Sequence, residues 1–139
     1  MLRIEASTPE DLRAYQDSAG YIIGSEFRGI SARSERGTLL AVIGFDHWTP
    51  SSAQIHSWIS NPMALREHIL TREVFKYIFV QSNRSVVFGV TPAHLSRALS
   101  LNKRIGLKEI YRVKDGWDLG VDMVIQEMRK ETCGWIEHE

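Results

Sequence analysis

Apolar residues recur along the chain with two different periods, and the switches between them mark its elements. From Ser52 to Ser60 the pattern alternates. Ala53, Ile55, Ser57 and Ile59 fall on one face of an extended chain, and Gln54, His56, Trp58 and Ser60 on the other. That second face mixes polar and aromatic groups, which suits the wall of a cleft. Asn61-Pro62 then breaks the strand. A helical pattern follows from about Arg66, with Ile69, Leu70, Val74, Tyr77 and Ile78 at three- and four-residue steps and an end near Gln81-Ser82-Asn83.

Other segments read as clearly. Leu2–Ala6 makes a short strand, and Thr8-Pro9-Glu10-Asp11 starts a helix with a capping hydroxyl, an N1 proline and first-turn acids. Leu12 and Tyr15 face the core of that helix, which fades at Ser18-Ala19-Gly20. Residues 21–29 have no period and are expected to be a loop of the kind that lines sites. Residues 27–34 begin a strand, and Glu35-Arg36-Gly37 turns the chain. Residues 38–45 (TLLAVIGF) and 84–91 (RSVVFGVT) are near-continuous apolar runs, as in strands buried on both faces. Between the first of these and the alternating strand, residues 46–50 form a hairpin connection. A second helix follows Pro92-Ala93, with Leu95, Ala98, Leu99 and Ile105 on one side and Lys103, Arg104 and Gly106 at its C-terminal end. Leu107–Val113 and Trp117–Met128 then form a hairpin, with the turn expected at Lys114-Asp115-Gly116. The tail, residues 129–139, has no clear pattern.

The order β-α-(β)-β-β-α-β-α-β-β predicts an α+β, three-layer fold: a mixed, mostly antiparallel twisted sheet of six to seven strands with three to four helices on both faces. At 139 residues the chain is expected to form one domain, 1–139. The 17 basic and 17 acidic side chains cancel, so no overall field draws it to nucleic acid or an anionic membrane, and neither is expected as a partner. Cys133 is the single cysteine, which excludes an internal disulfide and fits a reducing, cytoplasmic setting. No apolar run approaches the ~18 residues of a membrane span.

A strand that feeds a helix start is suited to anionic ligands, because unpaired N–H groups and the positive dipole end point the same way. His56, on the cleft-facing side, is a candidate general base. Asp46, His47 and Glu26 are weaker candidates, each better explained as turn chemistry or solvated surface. Arg66, His68 and Arg72 can meet phosphate or simply form a charged helix face. Trp48 and Trp58 read as packing residues, and residues 74–79 (VFKYIF) as core. His, Asp, Glu and Cys show no spacing typical of a metal site.

Several blocks together resemble the GNAT superfamily of N-acetyltransferases, in particular a branch common in tailed phages and prophages. These are Gln54-Ile55-His56, residues 74–79 (VFKYIF), Val90-Thr91-Pro92-Ala93, Ala98-Leu99 through Ile105-Gly106-Leu107, and residues 129–136 (RKETCGWI). The resemblance spans nearly the whole chain. It implies acetyl-CoA as cofactor and direct attack of an amine, on a small molecule or a protein, upon the thioester. The pantetheine arm would pair with the strand near Trp58, Ile59 and Ser60. The pyrophosphate would sit on Arg66, Glu67, His68, Ile69, Leu70 and Thr71.

Three positions depart from the family pattern. Residues 61–71 contain no glycine where a glycine-rich loop is usual, Leu95 stands where an asparagine is usual, and Asn102 stands where a tyrosine often acts as the acid. An asparagine can donate a hydrogen bond to sulfur but releases no proton. The leading expectation is therefore an acetyl-CoA-dependent N-acetyltransferase in the host cytoplasm, with His56 and Asn102 as catalytic residues and a homodimer possible. The alternatives are a catalytically weak or inactive GNAT-fold phage protein with a structural role, in the virion, and an unrelated α+β binding module.

Overall fold

The computed structural model describes residues 1–138. Seven strands form one sheet in the order β1-β2-β3-β4-β5-β7-β6. They are β1 (Arg3–Ala6), β2 (Arg28–Arg33), β3 (Leu39–Asp46), β4 (Ser52–Ile59), β5 (Val86–Pro92), β6 (Lys108–Asp118) and β7 (Val121–Arg129). All neighbours run antiparallel except β4 and β5. The helices are α1 (Pro9–Ala19), α2 (Ile69–Phe75) and α3 (Ser96–Ile105).

β3 shows why helices cover both faces. Ala41, Ile43 and Phe45 join a core with Leu70, Val74, Phe75, Ile78 and Phe79, so α2 and its continuation cover one side. The intervening Val42 packs with Tyr15 and Phe27 on the α1 side. Alternation along one strand thus feeds two cores.

α1 is held to the sheet by Asp11. Its carboxylate accepts hydrogen bonds from the Thr8 backbone N–H, from Ser31 and from Arg33. Burial alone would raise its pKa, but these donors hold it below the usual carboxylate value. The reciprocal bond from the Asp11 N–H to Thr8 completes a capping box. Gly20, at φ 68°, ends the helix in the left-handed region and sends the chain over the sheet toward Tyr21.

Two local expectations shift. The Asp-Gly pair at 115–116 does not turn the last hairpin. β6 runs on to Asp118, the register slips between Val113 and Asp118, and the reversal comes at Leu119-Gly120. Asp115, at φ 54°, is absorbed as an irregularity because its carboxylate accepts the Gly120 N–H while its own N–H donates to Asp122. The middle helix also starts later than Arg66. Pro62–His68 is a 3-10 segment interrupted at Arg66, Glu67 and His68, and regular helix begins at Ile69. From Lys76 to Gln81 the helix widens to π spacing before Ser82 ends it.

Candidate active site

β4 and β5 pair only through Ser52, Ala53 and Gln54, opposite Val86, Val87 and Phe88. Beyond Gln54 they part. Residues 55–59 keep β3 as a neighbour on one side, and among the described residues no strand pairs with them on the other. The parted strands open a cleft of about 330 Å³. Ile55, His56, Ser57 and Ile59 line it from β4, and Gly89, Val90, Thr91 and Pro92 from β5. Thr71, Val74 and Phe75 close it from α2, and Ala98, Leu101, Asn102 and Ile105 from α3. On the α1 side it is bounded by Tyr15 and residues 19–21, with half-exposed Trp117 reaching in from β6.

His56 sits on the α1 side of the parting. Gly44 is its partner on β3, and Asp46 lies one pleat further along the same face. The Asp46 carboxylate, 1% exposed, is the hub of the site. Its Oδ1 lies 2.6 Å from His56 Nε2 and 2.8 Å from His47 Nδ1. Its Oδ2 accepts the Tyr21 hydroxyl at 2.6 Å. The Tyr21 ring also lies on the His56 imidazole, 4.6 Å between centroids. Burial raises the Asp46 pKa, but donors from Tyr21 and His47 and the neighbouring His56 outweigh it and keep the carboxyl below its ordinary value. An ionised Asp46 can only accept, so His56 Nε2 must carry the proton shared with it. His56 Nδ1 is then the basic nitrogen. Among the described residues it has no hydrogen-bond partner, and it is not one of the buried unpaired atoms, so solvent reaches it. Burial lowers the His56 pKa more than Asp46 restores it, and the ring is neutral near pH 7. The Tyr21 hydroxyl is raised by burial and by Asp46, so it acts as a donor.

Folding also gathers what sequence spacing did not suggest. Asp46, His47 and His56 place potential metal-ligand atoms within 4.8 Å of one another. Their 2.6 and 2.8 Å contacts are hydrogen-bond lengths. Atoms sharing one tetrahedral zinc stand about 3.3 Å apart, given bonds of ~2.0 Å. The trio is therefore a hydrogen-bonded network.

Asn102 lines the cleft from α3, and its amide N–H donates to Gln126 Oε1 at 3.0 Å. The residues expected at the cofactor divide. Ile59 and Thr71 line the cleft, whereas Trp58, on the same strand face as His56, packs in the cluster of Tyr15, Phe27 and Val42. The Ser60 hydroxyl donates to the carbonyls of Leu39 and Leu40. Leu70 is fully buried in the core and Ile69 is partly buried beside it. Arg66 is exposed and borders a depression with Met1, Leu2, Glu35 and Arg36, away from the parted strands. Glu67 and His68 hold positive φ, and the His68 ring lies 5.1 Å from Trp135. Trp48 packs on Phe45 beneath the Arg84 guanidinium, and Cys133 is buried with its thiol pKa raised. Tyr21 comes from the unpatterned loop expected to line a site, whereas Gly89 and Trp117 carried no signal as cleft residues, because a strand glycine and a strand tryptophan look ordinary until the elements converge.

No family model and no curated protein matches the sequence. Solved structures do match. A chimaera of the spermidine N-acetyltransferase SpeG from Vibrio cholerae with hSSAT superposes with a TM-score of 0.77 at 13% identity, over 94% of this chain and 96% of that one. A structure of the same Vibrio cholerae enzyme described as dodecameric gives 0.74 at 13%, and a single-residue mutant gives 0.73 at 15%, each over 94% of both chains. With its parted parallel pair inside an otherwise antiparallel sheet, the chain has the fold of the GNAT N-acetyltransferases.

Proposed function

We propose that the protein transfers an acetyl group from acetyl-CoA to a primary amine. The parting of β4 and β5 beside the Asp46–His56 pair carries this reading. The free edge of residues 55–59 offers backbone donors and acceptors to an extended amide-containing chain, as an added strand would. The pantetheine arm of acetyl-CoA has that character, and the residues fit it; when bound, it supplies an activated acyl carbon.

Asp46 fixes the tautomer of His56 and balances the imidazolium that forms. Nδ1 takes the proton from the amine as nitrogen attacks. The gap-facing backbone N–H groups of β4 are positioned to stabilise negative charge on the carbonyl oxygen. Asn102, held by Gln126, can donate a hydrogen bond to the departing sulfur but cannot protonate it.

The acceptor enters from the α1 side, past Tyr15, Tyr21 and Trp117. Among the described residues, no Asp, Glu, Lys or Arg lines the cleft. The structural neighbours are named for spermidine, a polycation that calls for carboxylates. The uncharged lining here supports a monoamine on an apolar body. The sequence blocks that resemble the phage and prophage branch support a host-cell cytoplasmic setting for this activity.

Calorimetry with acetyl-CoA and CoA tests the proposal, followed by thiol release with an amine panel. Absence of binding at near-millimolar ligand overturns it. That result would favour the second reading, a GNAT-fold protein with a structural role, which draws on Asn102 and the glycine-free loop.

A further inference from the structure

The loop between β4 and α2 has no glycine, and two of its residues spend their backbone freedom on a positive φ. Its one arginine before α2, Arg66, lies on a different surface from the cleft. A second depression of about 450 Å³ continues the cleft outward, sharing Ile59, Leu65 and Leu101 with it. Its remaining wall is one face of α3, where Ser96, Arg97, Ser100 and Arg104 recur at three- and four-residue steps. Arg97 and Arg104 are exposed, and neither forms an ion pair or side-chain hydrogen bond among the described residues. Two unpaired guanidinium groups and two hydroxyls thus face a groove at the open end of a cleft whose own lining is uncharged.

We propose that this groove is the phosphate subsite of the cofactor, with Arg97 and Arg104 holding the phosphate groups of CoA from α3 in place of a glycine-rich loop. The inference rests on the acetyl-CoA reading above. Guanidinium forks match phosphate oxygens and keep their charge at any working pH. The hydroxyls of Ser96 and Ser100 stand on the same wall as neutral donors. The charge is placed where the phosphates of a ligand threaded between β4 and β5 would emerge, so its affinity separates from the chemistry at His56.

The test is calorimetry of CoA binding to the wild type, to Arg97→Ala/Arg104→Ala, and to Lys114→Ala as a charge control on β6. Both arginines are exposed, and circular dichroism checks that the double variant folds. The double variant is expected to bind CoA about tenfold more weakly or worse, by the usual strength of charge-assisted hydrogen bonds. Lys114→Ala should leave the affinity unchanged. Equal affinity in the double variant and the wild type overturns the subsite while leaving the acetyl-CoA reading standing. An equal loss in Lys114→Ala overturns it too, by showing that only overall charge matters. A wild type that binds no CoA overturns both readings together.

Discussion

The Phe27 ring lies so close over Gly44 that a Cβ built there would stand 2.1 Å from its Cζ. Gly44 is buried on β3 directly opposite His56, and Phe27 packs 6.1 Å from the imidazole. The missing side chain lets an aromatic roof seat over the site. Gly44→Val should force Phe27 out and cost about 1–3 kcal/mol by overpacking. Urea unfolding measures that cost. An unchanged midpoint would show that the roof yields freely.

Asp46 and His56 are expected to act as a unit. His56→Gln should lower kcat by roughly 100-fold or more, the scale of general-base catalysis, with CoA affinity unchanged. Asp46→Asn should cost a similar factor because the basic tautomer is no longer held. The double variant should be little worse than either single one. Steady-state kinetics with a reactive amine reads all three. Additive losses would separate the residues into independent roles.

The depressed His56 pKa also makes a stability prediction. The ordinary value is 6.5, and burial holds the folded value below it. As pH falls past 6.5, the unfolded chain takes up a proton that the folded chain refuses, so unfolding is favoured. Stability contributed by neutral His56 is therefore full above that value and lost on acidification toward the folded pKa. Asp46, held below 3.8, stays ionised through this window. The Tm of the wild type should drop between pH 7.5 and 5 by more than the Tm of His56→Gln. Parallel curves would refute a buried neutral imidazole.

The uncharged cleft lining sets the expected acceptor preference. With CoA binding established, 2-phenylethylamine should be acetylated with a kcat/KM at least about tenfold above that of spermidine, since a second ammonium would be desolvated without a partner. Competition kinetics decides it. A preference for spermidine would mean that acids outside the cleft, such as Glu26, reach the substrate.

Much of the scaffold was legible from local chemistry. Thr8-Pro9-Glu10-Asp11 announced α1, alternation located β4, and apolar runs located β3 and β5. These signals are local because capping and side-chain alternation act within a few residues. The last hairpin misled for the same reason. Asp115-Gly116 has turn chemistry, but the Asp115 carboxylate binds the Gly120 N–H and the reversal is delayed.

His56 stood out in the sequence as a candidate on a cleft-facing strand. Only the tertiary structure decided what His56 touches. Asp46 comes from the end of β3 and Tyr21 from an unpatterned loop, and their convergence depends on strand register and on Asp11 holding α1 in place. The outward groove between β4 and α3, with Arg97 and Arg104, was likewise invisible. A charged face on one helix reads as solvated surface until another element is packed beside it, and that packing is set by contacts far apart in the chain.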